Sequence, residues 1–279
     1  MRGVTMSPRL RLTMSVVVVS ISLLSAALPA QASTLRLPNS MAAVGDSITR
    51  AFDATSCPFP YSDCTAYSWS TGTNASVNSQ YLRILARNSK ISGHAFNDAK
   101  TGAQMSALDG QLTTAASQHI QYATVLMGAN DVCTSSISTM TPTSTFQSEV
   151  QKALADFFAA DPQAHLYLSS LPNIFQLWSV LHGNLAAQTV WKLFNICQSM
   201  LAASNTDAQR QQVVAREVAD NEVLASACSA YTHCRWDGYA GYNYAFPASD
   251  ISTLDYFHPN VTGQQAIAAI TWKASYWGG

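Results

Sequence analysis

Charge is scarce in this chain. Only 11% of its 279 residues are Asp, Glu, Lys or Arg, 15 basic against 16 acidic, for a net charge of −1. With no basic surplus to meet a phosphate backbone and no acidic tail, nucleic acid is not an expected partner. Metal-binding patterns are missing too. There is no C-x-x-C and no H-E-x-x-H, and the histidines are not grouped near the cysteines, so neither zinc nor another cofactor is expected. No P-loop or S-x-x-K occurs. No internal repeat, low-complexity tract or hinge-like linker divides the chain.

The one long apolar run lies at the start. Arg2, Arg9 and Arg11 precede an apolar core, Met14 to Leu28, broken only by small serines, and Ala30-Gln31-Ala32 follows. The core is short for a membrane span of about 20 residues, and Pro29 follows it directly. Residues 1–32 therefore read as an export signal cleaved after Ala32, leaving a secreted chain with no stable membrane anchor. Residues 33–279 are expected to form a single domain. All six cysteines lie there: Cys57, Cys64, Cys133, Cys197, Cys228 and Cys234. Export and an even count point to three disulfides, with fifteen pairings formally open. Closeness in sequence favours Cys57–Cys64 and Cys228–Cys234, which leaves Cys133–Cys197.

Along that domain, short apolar runs alternate with helical periodicity. Strands are expected at Met41–Val44, Ile91–Phe96, Ala123–Met127 and Leu166–Leu171. Helices are expected from Ser76 to Asn88, around Met105–Leu112, over Phe146–Ala160 and Asp207–Tyr231, and over Thr262–Tyr276. In the Asp207–Tyr231 helix, Val213, Val214, Val218, Val223 and Leu224 should face inward. Asn173–Ala203 reads as irregular helix and loop, and Cys228–Phe246 as aromatic loop. Such alternation means an α/β fold with a parallel sheet and right-handed crossovers.

Polar clusters follow three of the strands: Gly45-Asp46-Ser47, Thr101-Gly102-Ala103 and Gly128-Ala129-Asn130-Asp131. In a parallel sheet such ends share one edge, where ligands bind. A fourth cluster, Asp255 to Asn260, precedes the last helix. Together they supply what acyl transfer needs. Ser47 is the candidate nucleophile and His258 the candidate base. Asp255, three residues earlier, is placed to orient the ring. The Ser47 and Gly102 N–H groups and the Asn130 side-chain amide are candidate oxyanion donors. Asp46 is expected to order the turn under Ser47 without doing chemistry. Taken singly, Asn130-Asp131 reads as a helix N-cap and Gly102 as a turn glycine. His94, His119, His165, His182 and His233 read as structural or solvated. Thr49 breaks the G-x-S-x-G elbow, which argues against an α/β-hydrolase fold.

In these four blocks, in this order, the chain resembles the SGNH (GDSL) hydrolase family. The resemblance implies a three-layer α/β/α sandwich with a central parallel sheet of about five strands, flavodoxin-like in outline. It implies the roles just assigned, no catalytic metal, and ester hydrolysis through an acyl-serine intermediate. Within the family the chain is similar to secreted actinobacterial lipases and esterases with three disulfides. Tyr67 to Gly72 and Ser170 to Trp178 are similar to segments of phospholipase-B-like members. Some of these relatives use a backbone carbonyl in place of the acid, so Asp255 has an alternative. A monomer acting on a small-molecule or lipid ester is expected, with a fatty acyl group and transient contact with a lipid surface. Trp69, Phe175, Trp178, Leu181, Trp191 and Phe194 are candidates to line its groove. The rival readings are a carbohydrate O-acetyl esterase and a non-catalytic binding module on the same scaffold.

Overall fold

The apolar run at Met41 forms β1 (Met41–Gly45), buried throughout. The computed structural model describes residues 1–3 and 35–278; the export-signal core and its cleavage site lie outside the described residues. Beyond β1 come α1 (Gln80–Leu85), β2 (Ala95–Asn97), α2 (Leu108–Ser117), β3 (Tyr122–Leu126) and α3 (Ala129–Val132). Then follow α4 (Thr143–Ala160), β4 (His165–Leu168), α5 (Ile174–Leu181), α6 (Leu185–Leu193) and α7 (Gln198–Leu201). The chain ends with α8 (Asp207–Ser229), β5 (Cys234–Trp236), α9 (Ala240–Asn243) and α10 (Val261–Ala274).

All five strands are parallel, in the order β2-β1-β3-β4-β5. Alternate residues of each strand serve different cores, as the pleat requires. Met41, Tyr122 and Tyr167 pack with Ile84, Leu177 and Ile267 on one face. Ala42, Val44, Ala123, Val125, Leu166 and Leu168 pack with Leu112, Val150, Leu154 and Leu224 on the other. The result is the expected three-layer sandwich. The order in which strands are added reverses between β1 and β3, the switch point where ligands enter such sheets.

Both edge strands depart from expectation, because each is only three residues long and too short to show a pattern. The strand expected at Ile91 begins instead at Ala95, after a 3-10 turn and Gly93, whose φ of +79° suits glycine. β5 falls in the segment read as loop, where pairing with β4 and the Cys228–Cys234 bridge hold it. The helix expected from Ser76 begins at Gln80, where Ser79 caps it by accepting the Leu82 N–H. Thr206 opens α8 with a capping box to Gln209. The other bridges join Cys57 to Cys64 and Cys133 to Cys197. Among the described residues no helix is long and apolar enough to cross a membrane.

The buried face of α8 is polar. Val213 and Leu224 point inward as expected, but Val218 is exposed, and Arg210, Glu217, Asp220 and Asn221 are buried instead. For Arg210, Glu217 and Asn221 the partners explain this. The Glu217 carboxylate accepts the Ile174 N–H (3.0 Å) and Asn221 Oδ1 accepts the Leu171 N–H (2.8 Å). Arg210 donates to the Met200, Ala202 and Asn205 carbonyls and lies 3.6 Å over the Trp178 ring. Irregular backbone between β4 and α8 has no ladder to satisfy it, and these side chains do so.

Burial pushes the Glu217 carboxyl up to about 8 and that of Asp220 up to about 7. Burial likewise pushes Asp46 up to about 7 and Asp131 up to about 6. A folded-state pKa above the unfolded one contributes stability that is complete below the unfolded value. That stability is lost as pH rises through the folded value. Between pH 5 and pH 8, His165, whose pKa burial lowers, works in the other direction. The thermal unfolding midpoint should therefore be lower at pH 8 than at pH 5, and Glu217→Gln should flatten the difference. A scanning-calorimetry series that shows a higher midpoint at pH 8 would refute this assignment.

Candidate active site

Ser47 stands two residues beyond β1 in a turn built by its neighbours. Gly45 has φ +148°, and a Cβ there would overlap the Leu126 carbonyl oxygen, so the close approach of β1 to β3 requires glycine. Gln111 of α2 clasps the same residue from both sides. Its Oε1 accepts the Gly45 N–H (2.7 Å) and its Nε2 donates to the Gly45 carbonyl (3.0 Å). Asp46 Oδ1 accepts the Ile48 N–H at 2.9 Å, closing the turn under Ser47. From α10, Gln264 accepts the Trp69 N–H (2.9 Å) and donates to the Ile48 carbonyl (2.9 Å).

His258 and Asp255 share a loop just before α10. Asp255 Oδ1 accepts the Phe257 and His258 N–H groups at 2.9 and 3.0 Å, which curls the loop around the carboxylate. Its Oδ2 lies 2.5 Å from His258 Nδ1. On the ring's other side, His258 Nε2 lies 2.8 Å from Ser47 Oγ. The three residues thus form one hydrogen-bonded chain between groups 211 positions apart in sequence. The Phe52 and Phe257 rings flank the imidazole at 5.0 and 4.9 Å between centroids, leaving its side chain 12% exposed.

The remaining sequence-predicted residues meet through a second set of bonds. Asn130 does not cap α3, whose N-cap is Gly128; instead its Nδ2 donates to the Ala103 carbonyl at 3.0 Å. Its backbone carbonyl accepts from Gln104 (3.2 Å), and Asp131 accepts the Met105 N–H (2.9 Å) and the Thr141 hydroxyl (2.8 Å). The loop carrying Gly102 is thereby stitched to α3. The Lys100 N–H, 3.1 Å from the Gly45 carbonyl, ties it to the turn that carries Ser47. Gly102 has φ +78° with open space where a Cβ would stand, so conformation alone calls for glycine. Among the described residues neither the Ser47 nor the Gly102 N–H has an acceptor.

A small apolar cavity of about 50 Å³ opens beside His258, lined by Ile48, Ala129, Pro172, Asn173, Ile174, Leu177, Phe246, Ile251, Phe257 and Pro259. Ile48 follows Ser47 and Ala129 precedes Asn130. None of the six expected groove residues lines it. Trp69, Trp191 and Leu181 are buried core; Trp178 lies under Arg210; Phe194 is exposed. A larger groove of about 1250 Å³ lies at the opposite end of the strands, at Asn39, Gln121 and His165, and holds none of the site residues. No group of three or more His, Cys, Asp or Glu suited to a metal occurs among the described residues. Gln111 and Gln264 carry structural weight at the site that their sequence positions do not announce. The one hint is a glutamine set among inward-facing apolar positions of α2 and α10.

Residues 43–266 match the model of the GDSL-like lipase/acylhydrolase family. Among curated protein sequences none matches the chain. Among solved structures, a protein from Parabacteroides merdae named as a GDSL-like lipase is 15% identical, with a TM-score of 0.52. The alignment covers 84% of this chain and 94% of that one. A phospholipase A1 from Streptomyces albidoflavus is 14% identical with a TM-score of 0.42, covering 81% of this chain and 94% of that one. A family two carbohydrate esterase from Clostridium thermocellum is 14% identical with a TM-score of 0.44, covering 82% and 60%.

Burial is the largest influence on His258 and opposes its charge, but the Asp255 carboxylate and its hydrogen bond, with Asp46 and Asp53 behind, outweigh it and raise the pKa. Asp255 is held below its usual value: burial would raise it, and the facing imidazolium and its hydrogen bonds prevail. Asp255→Asn should therefore lower the His258 pKa. Ring-proton NMR titration checks this; an unchanged midpoint would mean that the carboxylate does not govern the imidazole.

Proposed function

Because the chain belongs to the GDSL-like lipase/acylhydrolase family, we propose that it is a secreted serine esterase that hydrolyses carboxylic esters, lipid esters among them. The observation that carries this reading is the unbroken hydrogen-bonded chain from Ser47 through His258 to Asp255. In the first step Ser47 Oγ attacks the ester carbonyl carbon while His258 Nε2 takes the hydroxyl proton. Asp255 fixes the tautomer by accepting from Nδ1 and offsets the positive charge that the ring acquires. The Ser47 N–H, the Gly102 N–H and the second hydrogen of the Asn130 amide serve the oxyanion. Collapse expels the alcohol, which leaves with the proton held by His258. Water, deprotonated by the same ring, then attacks the acyl-serine; the bond to Ser47 Oγ breaks, Oγ regains its proton from His258, and the carboxylic acid is released.

Export fits the same reading. The apolar N-terminal run has the layout of a signal, and three disulfides suit an oxidising compartment. Lining residues that are almost all apolar suit the cavity beside His258 to the start of an acyl chain. Its small volume favours a second reading, removal of acetyl groups from carbohydrate. A series of p-nitrophenyl esters separates the two: a preference for octanoate favours a lipid ester, and a preference for acetate favours the second reading.

A fluorophosphonate probe should label the purified chain at Ser47, and Ser47→Ala should abolish both labelling and ester hydrolysis. Folded protein that resists the probe would leave only the binding-module reading. Asn130→Ala should lower kcat by about a hundred- to a thousandfold with little change in KM. Activity should fall with acidity as His258 protonates, and Asp255→Asn should move that limb to lower pH.

A further inference from the structure

The large hydrophobic side chains left exposed are unevenly placed. Apart from Met1, Leu35 and Val218, all those among the described residues lie in two segments: Phe59 and Tyr61 in the loop closed by Cys57–Cys64, and Leu185, Leu193 and Phe194 along and just after α6. Phe59 is 70% exposed, Leu193 69% and Phe194 51%. The segments meet where the Tyr61 and Phe194 rings lie 5.4 Å apart, which joins the loop tip to the C-terminal end of α6 in one patch. The loop tip, Pro58-Phe59-Pro60-Tyr61, is exposed and apolar at four successive positions. A contiguous patch of this kind marks an interaction surface.

Both segments are anchored to the catalytic residues. Upstream of the loop tip, the Phe52 N–H donates to the Ser47 carbonyl (3.0 Å) and the Phe52 ring packs on His258. Asp53 accepts the Tyr61 N–H. From α6, Trp191 Nε1 donates to the Tyr256 carbonyl at 2.9 Å, two residues before His258. The patch therefore borders the site. Its charges are few: Asp63 is paired with Arg50, and Lys192 is the one ionic side chain of α6.

We propose that this patch docks the enzyme on the surface of a lipid aggregate, bringing the site to the depth where ester groups lie. Exposed aromatic rings, leucines and a lysine, with no unpaired carboxylate in either segment, match the amphipathic boundary between headgroups and acyl chains. The disulfide closes the loop over a small cluster of Ala51, Ala54 and Tyr67 and leaves its tip facing solvent. The proposal takes the esterase reading as its purpose, but its measurement does not depend on turnover.

The test uses Ser47→Ala protein sedimented with phosphatidylcholine vesicles in 0.15 M and 1 M salt. Binding is expected at both salt concentrations. Phe59→Ser and Leu193→Ser should each weaken it by about tenfold. Val218→Ser, an exposed apolar site on α8, should leave it unchanged. Unfolding midpoints verify that each variant is folded, and Leu185→Ser replaces any that is not. Absent binding, binding abolished by salt, or equal loss in Val218→Ser would overturn the proposal. So would a concentration-dependent dimer that Phe59→Ser dissociates, since the patch would then belong to a second copy. Hydrolysis of p-nitrophenyl butyrate by the unsubstituted chain reports on the esterase reading separately.

Discussion

The hydrogen bond between Ser47 Oγ and His258 Nε2 spans nearly the whole described chain, and the arrangement around it depends on that closure. Its partners come from opposite ends of the domain, one after the first strand and one before the last helix. Neither loop could place its residue alone. β1 ends at a glycine whose backbone is clasped by α2 and pressed against β3. The other loop is curled around the Asp255 carboxylate and pinned by α6 through Trp191. Gln264 joins the two sides by bonding to both the Trp69 and Ile48 backbones. The 2.8 Å contact is a sum of these local constraints.

Six polar side chains inside the fold have a common employment: they satisfy backbone that lacks a regular partner. Gln111, Asp131, Arg210, Glu217, Asn221 and Gln264 each bond to main-chain groups of a loop or strand end. An unpaired buried N–H costs about 1–3 kcal/mol, so each such bond matters more for what it prevents than for its net gain. Burial of the acids among them favours their neutral form, and it joins the upkeep of the loops to the protonation state of the interior.

The site combines a rigid interior with an open rim. His258 is enclosed by Phe52 and Phe257, which shields the triad from water and strengthens its electrostatics. Outside this enclosure the disulfide-closed loop and α6 carry apolar side chains toward solvent. The same segment thus packs Phe52 against His258 and presents Phe59 and Tyr61 outward, so the enclosure of the imidazole and the exposed patch share one structural support.

Much was legible in the sequence. The central strands are continuous apolar runs because both faces of a parallel sheet are covered. Their polar C-terminal clusters mark the edge where Ser47, Gly102 and Asn130 gather, and hydrophobic periodicity marks the longer helices. The two edge strands were not legible, since three residues carry no period. Nor was the inward face of α8: a pattern reading sends Glu217 and Asn221 to solvent, whereas unpaired loop backbone drew them inside. Residue types and their order fixed the chemistry available, because only certain side chains can attack, accept a proton or steady an oxyanion. Which of them touch, and which apolar side chains were left outside, was decided by packing distant segments together, a balance of burial and hydrogen-bond satisfaction that no local window contains.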